Sequence, residues 1–286
     1  QLRERTGAGM MECKKALVEA RGDLEAAAEI MRKSGLAKAD RKAARIAAEG
    51  IVVFAGAAGG RAGVLVEVNC ETDFVAREAD FVAFARAVAD AALAGGAADV
   101  TALLARTGAD GVTLEERRRA LVARIGENIS VRRLARLEAP GVLGSYLHGT
   151  RIGALVALEG GDAALAKELA MHVAATNPQY VEAAAVPAAE VAKERDILLA
   201  QAAAEGKPAA IVQKMVEGRL RKFLAEITLV GQPFVKDPET TVEQLLKRSA
   251  ARVTGFARLE VGAGIEKKQD NFAAEVMAQV KGSAQR

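Results

Sequence analysis

The feature that most restricts the fold of this chain is an internal echo. Gly59-Gly60-Arg61-Ala62-Gly63-Val64-Leu65-Val66-Glu67-Val68 returns as Gly149-Thr150-Arg151-Ile152-Gly153-Ala154-Leu155-Val156-Ala157-Leu158, at a constant offset of 90 residues. Each copy joins a glycine-bearing turn to an apolar, β-branched run, which reads as a strand. Each is followed by an alanine-rich helical stretch, Asp73 to Leu93 in the first copy and Ala164 to Ala175 in the second. The pattern predicts two related α+β units, each a small antiparallel sheet with covering helices. A chain of 286 residues is long enough for about two domains with a sizeable core.

The rest of the chain can be placed around this repeat. Ahead of it, residues 1 to about 45 read as short helices. Thr6-Gly7-Ala8-Gly9 breaks the first. Met10 to Ala20 carries Met10, Cys13, Leu17 and Ala20 on one stripe. Gly22 ends that helix, Asp23 caps a third from Leu24 to about Lys33, and Ser34-Gly35 stops it. A basic helical linker then runs from Lys38 to Arg45. Ile51 to Phe54 and Val64 to Val68 form a hairpin across Gly56 to Gly60. Gly95 to Gly111 reads as a loop with one short helix, Glu115 to Ile125 as a helix and Ile129 to Leu137 as a strand. Residues 187–230 predict a helical hairpin, with Val191 to Ala204 as one arm and Pro208 as the first helical residue of the other. Val212, Val216, Leu220, Phe223 and Ile227 recur at helical spacing on that second arm. Gly231-Gln232-Pro233-Phe234 turns, Val242 to Lys247 is a helix, and the strand Val253 to Val261 completes the second sheet, which makes the hairpin an insertion. Asp270 to Val280 is a last short helix.

Composition narrows the function. Aromatics are 3% and Trp is absent, so the core is built of Ala, Val, Leu and Ile. A net charge of +3 from 40 basic and 37 acidic residues is too mild to argue for nucleic-acid binding. The basic run Lys38, Arg41, Lys42 and Arg45 reads as a solvated face, with RNA contact as the lesser alternative. Two distant cysteines, Cys13 and Cys70, imply no disulfide framework and fit a reducing compartment. No apolar run has the ~18 residues of a membrane span. Gln1-Leu2-Arg3-Glu4-Arg5 reads as the middle of an amphipathic helix whose beginning lies before the sequence. His148 and His172 have no neighbours at metal-ligand spacing. Gly56 to Gly63 lacks the Lys-Ser/Thr that completes a phosphate loop. Gly262-Ala263-Gly264 fails as a dinucleotide motif at its third glycine. No nucleophile and base are paired. No cofactor or metal is expected, and the rival reading as a hydrolase of unknown type would require a buried cluster of perturbed side chains that the sequence does not show.

Two sets of residues stand out as contacts. Met10 and Met11 are adjacent, about 100° apart on a helix, so at least one stays outside the core. Asn69-Cys70-Glu71-Thr72-Asp73-Phe74-Val75 puts an acid and an aromatic at a strand-to-helix corner. Two readings of it stand on pattern alone. Thr72 or Asp73 caps a helix and Phe74, seven before Phe81, faces the core; or Asp73 and Phe74 form an exposed tip.

Several segments together resemble the bacterial elongation factor Ts family. They are the opening from Leu2-Arg3-Glu4-Arg5-Thr6-Gly7-Ala8-Gly9-Met10-Met11 to Leu17, the Asn69–Val75 segment, Ile125-Gly126-Glu127-Asn128-Ile129, Gly144-Ser145-Tyr146-Leu147-His148-Gly149, Met171-His172-Val173-Ala174-Ala175, Lys214-Met215-Val216-Glu217-Gly218-Arg219 and Gly231–Phe234. The resemblance covers essentially the whole chain. It implies an α+β protein with a ubiquitin-associated-like three-helix bundle at 1–45 and a core of two related subdomains, 46–138 and 139–186 with 231–264. A helical hairpin is inserted at 187–230 and a C-terminal module occupies 265–286. It also implies a cytoplasmic guanine-nucleotide exchange factor for the translational GTPase elongation factor Tu, with possible homodimers through the hairpin and no membrane or direct nucleic-acid partner. Carried over residue by residue, Thr72, Asp73, Phe74 and Val75 form the wedge that dislodges the partner's magnesium. Arg3, Met10, Met11 and Lys14 dock on the GTPase domain. Gly126 and Asn128 line the core face beside the wedge, and His148 meets a distal domain. His172 is structural. Two features depart from the family pattern: few residues precede Leu2, and the stretch from Gly95 to Thr113 is longer than usual.

Overall fold

The computed structural model describes residues 1–6, 9–95, 97, 99–203 and 208–266, apart from the side chains of 36–38, 40 and 203. Expectations that fall on Gly7-Ala8, on the 205–207 turn and on a helix at 270–280 lie outside the described residues. The short helices α1 (Leu2–Thr6) and α2 (Met10–Glu19) pack on the start of α3 (Leu24–Lys42) around Leu2, Cys13, Ala16 and Ala27. Asp23 caps α3 as expected, its carboxylate accepting the Glu25 and Ala26 N–H groups. The expected stop at Ser34-Gly35 does not occur, and α3 runs on to Lys42. Gly35 is buried where α3 crosses the helix Leu114–Ile125 (α6), and a Cβ there would lie 3.2 Å from the Ala123 Cβ. Further along, Ala39 enters the first large core. Tertiary packing thus overrides the weak helix propensity of glycine.

The repeat is a pair of ββαβ units. In the first, β1 (Glu49–Gly56), β2 (Ala62–Cys70) and β3 (Ser130–Glu138) form an antiparallel sheet in that order, with α4 (Ala79–Leu93), α5 (Val100–Leu104) and α6 between β2 and β3. In the second, β4 (Val142–His148) and β5 (Ile152–Glu159) lead into α7 (Ala163–Thr176), and β5 also pairs with the late strand Arg252–Glu260, β8 below. Even the irregularities match. β2 bulges between Glu67 and Val68 against β3, and β5 between Ala157 and Leu158 against its late partner, 90 residues on.

Each sheet carries helices on its outer face and lays its inner face on the other sheet. Val64, Val66 and Val68 face the helices with Phe81, Phe84 and Val88, whereas Leu65 meets Val52, Leu155 and Leu259 between the sheets. Coverage on both sides is why β2 and β5 read as continuous apolar runs. The repeated glycines belong to this interface. A Cβ on Gly63 would fall 2.7 Å from Leu143 of the second unit, and one on Gly153 2.7 Å from Val52 of the first.

Between α7 and the last strand lie the insertions. The hairpin pairs α8 (Ala188–Ala203) with α9 (Ala209–Ile227) around Leu198, Ala202, Val216 and Leu220. Pro208 precedes α9 as its N-cap and is not its first helical residue. A two-stranded ribbon, β6 (Pro233–Phe234) with β7 (Asp237–Thr241), was not expected. Then α10 (Val242–Arg248) leads into β8 (Arg252–Glu260), which closes the second sheet as expected. His172 is buried against this ribbon. Its Nδ1 accepts the Val235 N–H and its Nε2 lies 2.9 Å from Gln232 Oε1, so the ring is a neutral tautomer with Nε2 protonated. Burial lowers its pKa and the Gln232 bond opposes that. Among the described residues no helix is long and apolar enough to cross a membrane.

Candidate functional site

β2 ends at Cys70, and the expected helix from Asp73 does not begin there. Residues 71–78 form a turn and a single 3-10 turn, Val75–Arg77. Glu78 is extended (φ −61°, ψ 133°), and α4 starts only at Ala79. That interruption breaks the seven-residue phase between Phe74 and Phe81. Phe81 is fully buried, whereas Phe74 is 79% exposed. The core-facing reading of Phe74 is therefore excluded, and the exposed-tip reading is the one the geometry has. Val75 and Ala76 are buried in the first core and anchor the turn from behind. Asp73 is exposed, its Oδ2 2.9 Å from Arg77 Nη2. Both partners are largely solvated, so the pair adds little and leaves Asp73 accessible.

The turn is held from a second segment. Gly126, in the left-handed conformation at φ 92°, ends α6 and swings the chain toward the tip. The next residue, Glu127, accepts the Glu71 N–H (3.1 Å) and the Thr72 N–H (3.0 Å) on Oε2, and the Thr72 hydroxyl (2.7 Å) on Oε1. Glu71 returns the contact, its Oε1 accepting the Asn128 N–H at 2.6 Å. Lys42 Nζ donates to the Gly126 carbonyl. The Cys70 thiol donates to the Thr72 carbonyl at 3.1 Å. Burial, with the Glu127 and Glu49 carboxylates adding to it, pushes that thiol up to about 12, so it stays protonated and structural.

The structure therefore brings Thr72, Asp73, Phe74, Val75, Gly126 and Asn128 together. Two of them have almost no side chain at the surface. Val75 is buried, and Asn128 is 6% exposed, with Nδ2 donating to the Ala43 and Arg45 carbonyls. Asn128 ties the exit of α3 to the core and does not line an open face. The other residues form separate surfaces. Met10 and Met11 are 69% and 73% exposed, so both lie outside the core, although Met10 still borders the surface hollow lined by Cys13 and Leu17. They share α2 with exposed Lys14 and lie near exposed Arg3. His148 ends the edge strand β4, exposed, with Nδ1 3.2 Å from the Tyr146 hydroxyl.

Sequence reasoning missed Glu71 and Glu127, Arg77, and Val18, which is 71% exposed two turns along α2 from the methionines. Glu127 lies 55 positions from Thr72, beyond any spacing rule. Its signals were its place in the Ile125–Ile129 segment, where Gly126 and Asn128 drew the roles, and a carboxylate directly after a helix-ending glycine. Among the described residues no group of three or more His, Cys, Asp or Glu side chains could hold a metal ion.

Comparison with known proteins adds the kinship. Residues 71–263, more than half of the chain, match a family model described as Elongation factor TS. The elongation factor Ts of Thioalkalivibrio sulfidiphilus is 60% identical over 285 residues, 99% of this chain and 97% of its own length. That of Methylococcus capsulatus is 60% identical over 284 residues, covering 99% and 97%. That of Legionella pneumophila (strain Paris) is 56% identical over 281 residues, covering 98% and 96%. By family match and by near full-length identity, the chain belongs to the elongation factor Ts family.

Proposed function

We propose that this protein is a guanine-nucleotide exchange factor acting on elongation factor Tu in the cytoplasm during polypeptide elongation. The observation that carries this reading is the Asp73-Phe74 tip: an acid and an aromatic held outside the fold on a turn whose neighbours are all anchored. The Phe74 ring is 79% exposed, so it is available to a partner without any rearrangement of its own core. Aromatic anchors of this kind dominate binding energy at interfaces.

In this reading α2 docks first, through Arg3, Met10, Met11 and Lys14, with Val18 extending the apolar patch. The tip then enters the GTPase domain, where GDP is held by a phosphate loop and a magnesium ion. Phe74 displaces packed side chains and Asp73 draws polar groups toward itself. The cation loses its geometry, and GDP follows. The coupling is reciprocal, so an incoming nucleotide weakens the grip of the factor by the same amount that the factor weakens the nucleotide. The protein itself holds no nucleotide and changes no bond. His148 contacts a distal domain of Tu. The exposed apolar side chains of the hairpin, Ile197, Leu199 and Ile211, serve a second copy of the chain, and neither membrane nor nucleic acid takes part.

The test is release of fluorescent GDP from Tu with catalytic amounts of the protein. The wild type accelerates release strongly. An Asp73→Ala, Phe74→Ala double variant loses about a thousandfold, since two interface anchors are each worth 2 kcal/mol or more. Release by that variant at the wild-type rate would rule out the wedge.

A further inference from the structure

We infer that Glu127 is a positioning residue for the exchange tip: its carboxylate fixes the backbone of residues 71–72 so that Asp73 and Phe74 are presented already ordered. The inference rests on the wedge reading above and names what makes the wedge stiff. A single carboxylate takes three hydrogen bonds from the tip, the N–H groups of Glu71 and Thr72 and the hydroxyl of Thr72. The contact is reciprocal, because Glu71 accepts the Asn128 N–H in return. The two segments therefore clasp each other with two acids. No element of regular structure does this work. β2 has already ended at Cys70, and α4 begins only at Ala79.

The geometry explains why a forked polar side chain is needed and why an acid suits it best. Two successive N–H groups and a hydroxyl converge on Glu127, and a charged acceptor binds such donors more strongly than a neutral one. Without it, two backbone donors at a half-buried turn lose their partner. The tip then samples other conformations, and each docking event must reorder it, which lowers the fraction of complexes in which the wedge engages. The α2 surface is untouched by that loss, so encounter with the partner continues. Glu127 thus acts on the step after docking.

The experiment measures GDP release from fluorescent-GDP-loaded Tu over a range of factor concentrations, using the full chain. Glu127→Ala is expected to lower the maximal release rate about tenfold while the half-saturating concentration moves by less than about twofold. Glu127→Gln keeps an acceptor for the amides and a donor for Thr72 Oγ1, and should stay within about threefold of wild type. Amide hydrogen exchange at Glu71 and Thr72 should lose protection in the alanine variant and keep it in the glutamine variant. On the Asp73→Ala, Phe74→Ala background, Glu127→Ala should add nothing, since residues acting through one element are not additive. Should Glu127→Ala fail to fold, Glu71→Ala breaks the return contact and is expected to lower the maximal rate in the same way, by about threefold. A wild-type maximal rate in the alanine variant beside an impaired tip variant overturns the positioning role alone. So does an undiminished loss on the tipless background. A tip variant with wild-type release overturns the wedge and this role together.

Discussion

The two ββαβ units make the same journey from middle strand to helix with different lengths of chain. In the second unit, three residues (160–162) carry β5 into α7, and Asp162 caps the helix by accepting the Leu165 N–H at 2.8 Å. In the first, eight residues (71–78) separate β2 from α4. Strand order, the bulge position and the inter-sheet glycines are shared. The longer segment is therefore no requirement of the fold, because the sister unit returns to its helix without it. It is an addition, anchored by Val75 and Ala76 on one side and by Glu127 on the other, and what it leaves outside is Asp73 and Phe74. The same contrast appears at the bulge. Position 67 is a buried glutamate, and its counterpart 157 is a buried alanine.

The shared features can be broken separately. The largest effect is expected at the inter-sheet glycines, and it should be unequal. Gly153→Ala drives a methyl into fully packed Val52 and Leu65, whereas Gly63→Ala meets the partly buried Leu143 and Phe54, which can yield. Thermal or urea unfolding should show a loss of about 3 kcal/mol for the first and about 1 kcal/mol for the second. Equal losses would mean that the two faces are equally rigid and that the difference between the units stops at the tip.

Next comes Glu67. It is fully buried, with Oε1 3.1 Å from Arg132 Nη1 and accepting the Gly262 N–H at 2.8 Å, and with Oε2 bonded to Arg133 Nε. Arg132 and Arg133 also donate to the Ala263 and Glu260 carbonyls, so the cluster ties the first sheet to the end of the second. Burial pushes this carboxyl up, and the Gly262 N–H and Arg133 more than reverse it, leaving the pKa below its ordinary 4.5. A carboxyl depressed in the folded state contributes stability above its unfolded value and loses it as pH falls through the folded one. Glu67→Gln should therefore cost about 2 kcal/mol at pH 7, with the wild-type and variant curves converging as pH falls below about 4.5. A gap that persists unchanged at pH 3 would show that the charge is not what matters there.

How much of this was legible depends on whether the information was local. The offset of 90 disclosed both middle strands, and the return of Val253 to Val261 disclosed the last one, because β-branched apolar runs and turn glycines are written in consecutive residues. Gly35 misled because its role depends on Ala123, a helix away. Phe74 was ambiguous because heptad spacing to Phe81 is the same whether or not Glu78 breaks the helix between them. The ribbon of β6 and β7 went unseen because β6 is two residues long and β7, Asp237-Pro238-Glu239-Thr240-Thr241, has no apolar side chain to alternate beyond its proline. The motifs that placed Asp73 and Phe74 named the tip and were silent about what stiffens it, since Glu127 meets it only through the fold.

The smallest expected effect tests the comparison most directly, since it acts where the second unit does what the first does not. Asp162 is the whole of the short connection's chemistry: its side chain satisfies one of the helix's orphan N–H groups and nothing else. Asp162→Ala should cost about 1 kcal/mol of stability, the usual worth of an N-cap, and leave GDP release from Tu unchanged. The matching corner of the first unit has no carboxylate cap: the side chains of Phe74 and Glu78 bond no N–H of the turn or helix they precede, and the Thr72 hydroxyl reaches the Val75 N–H at a long 3.4 Å. Its order comes from Glu127 instead, so the two corners should respond oppositely: the capped one in stability with exchange intact, the clasped one in exchange. If Asp162→Ala slowed exchange as much as it lowered stability, the corners would be coupled through the sheets, and the tip could no longer be treated as an addition that works independently of the sister unit.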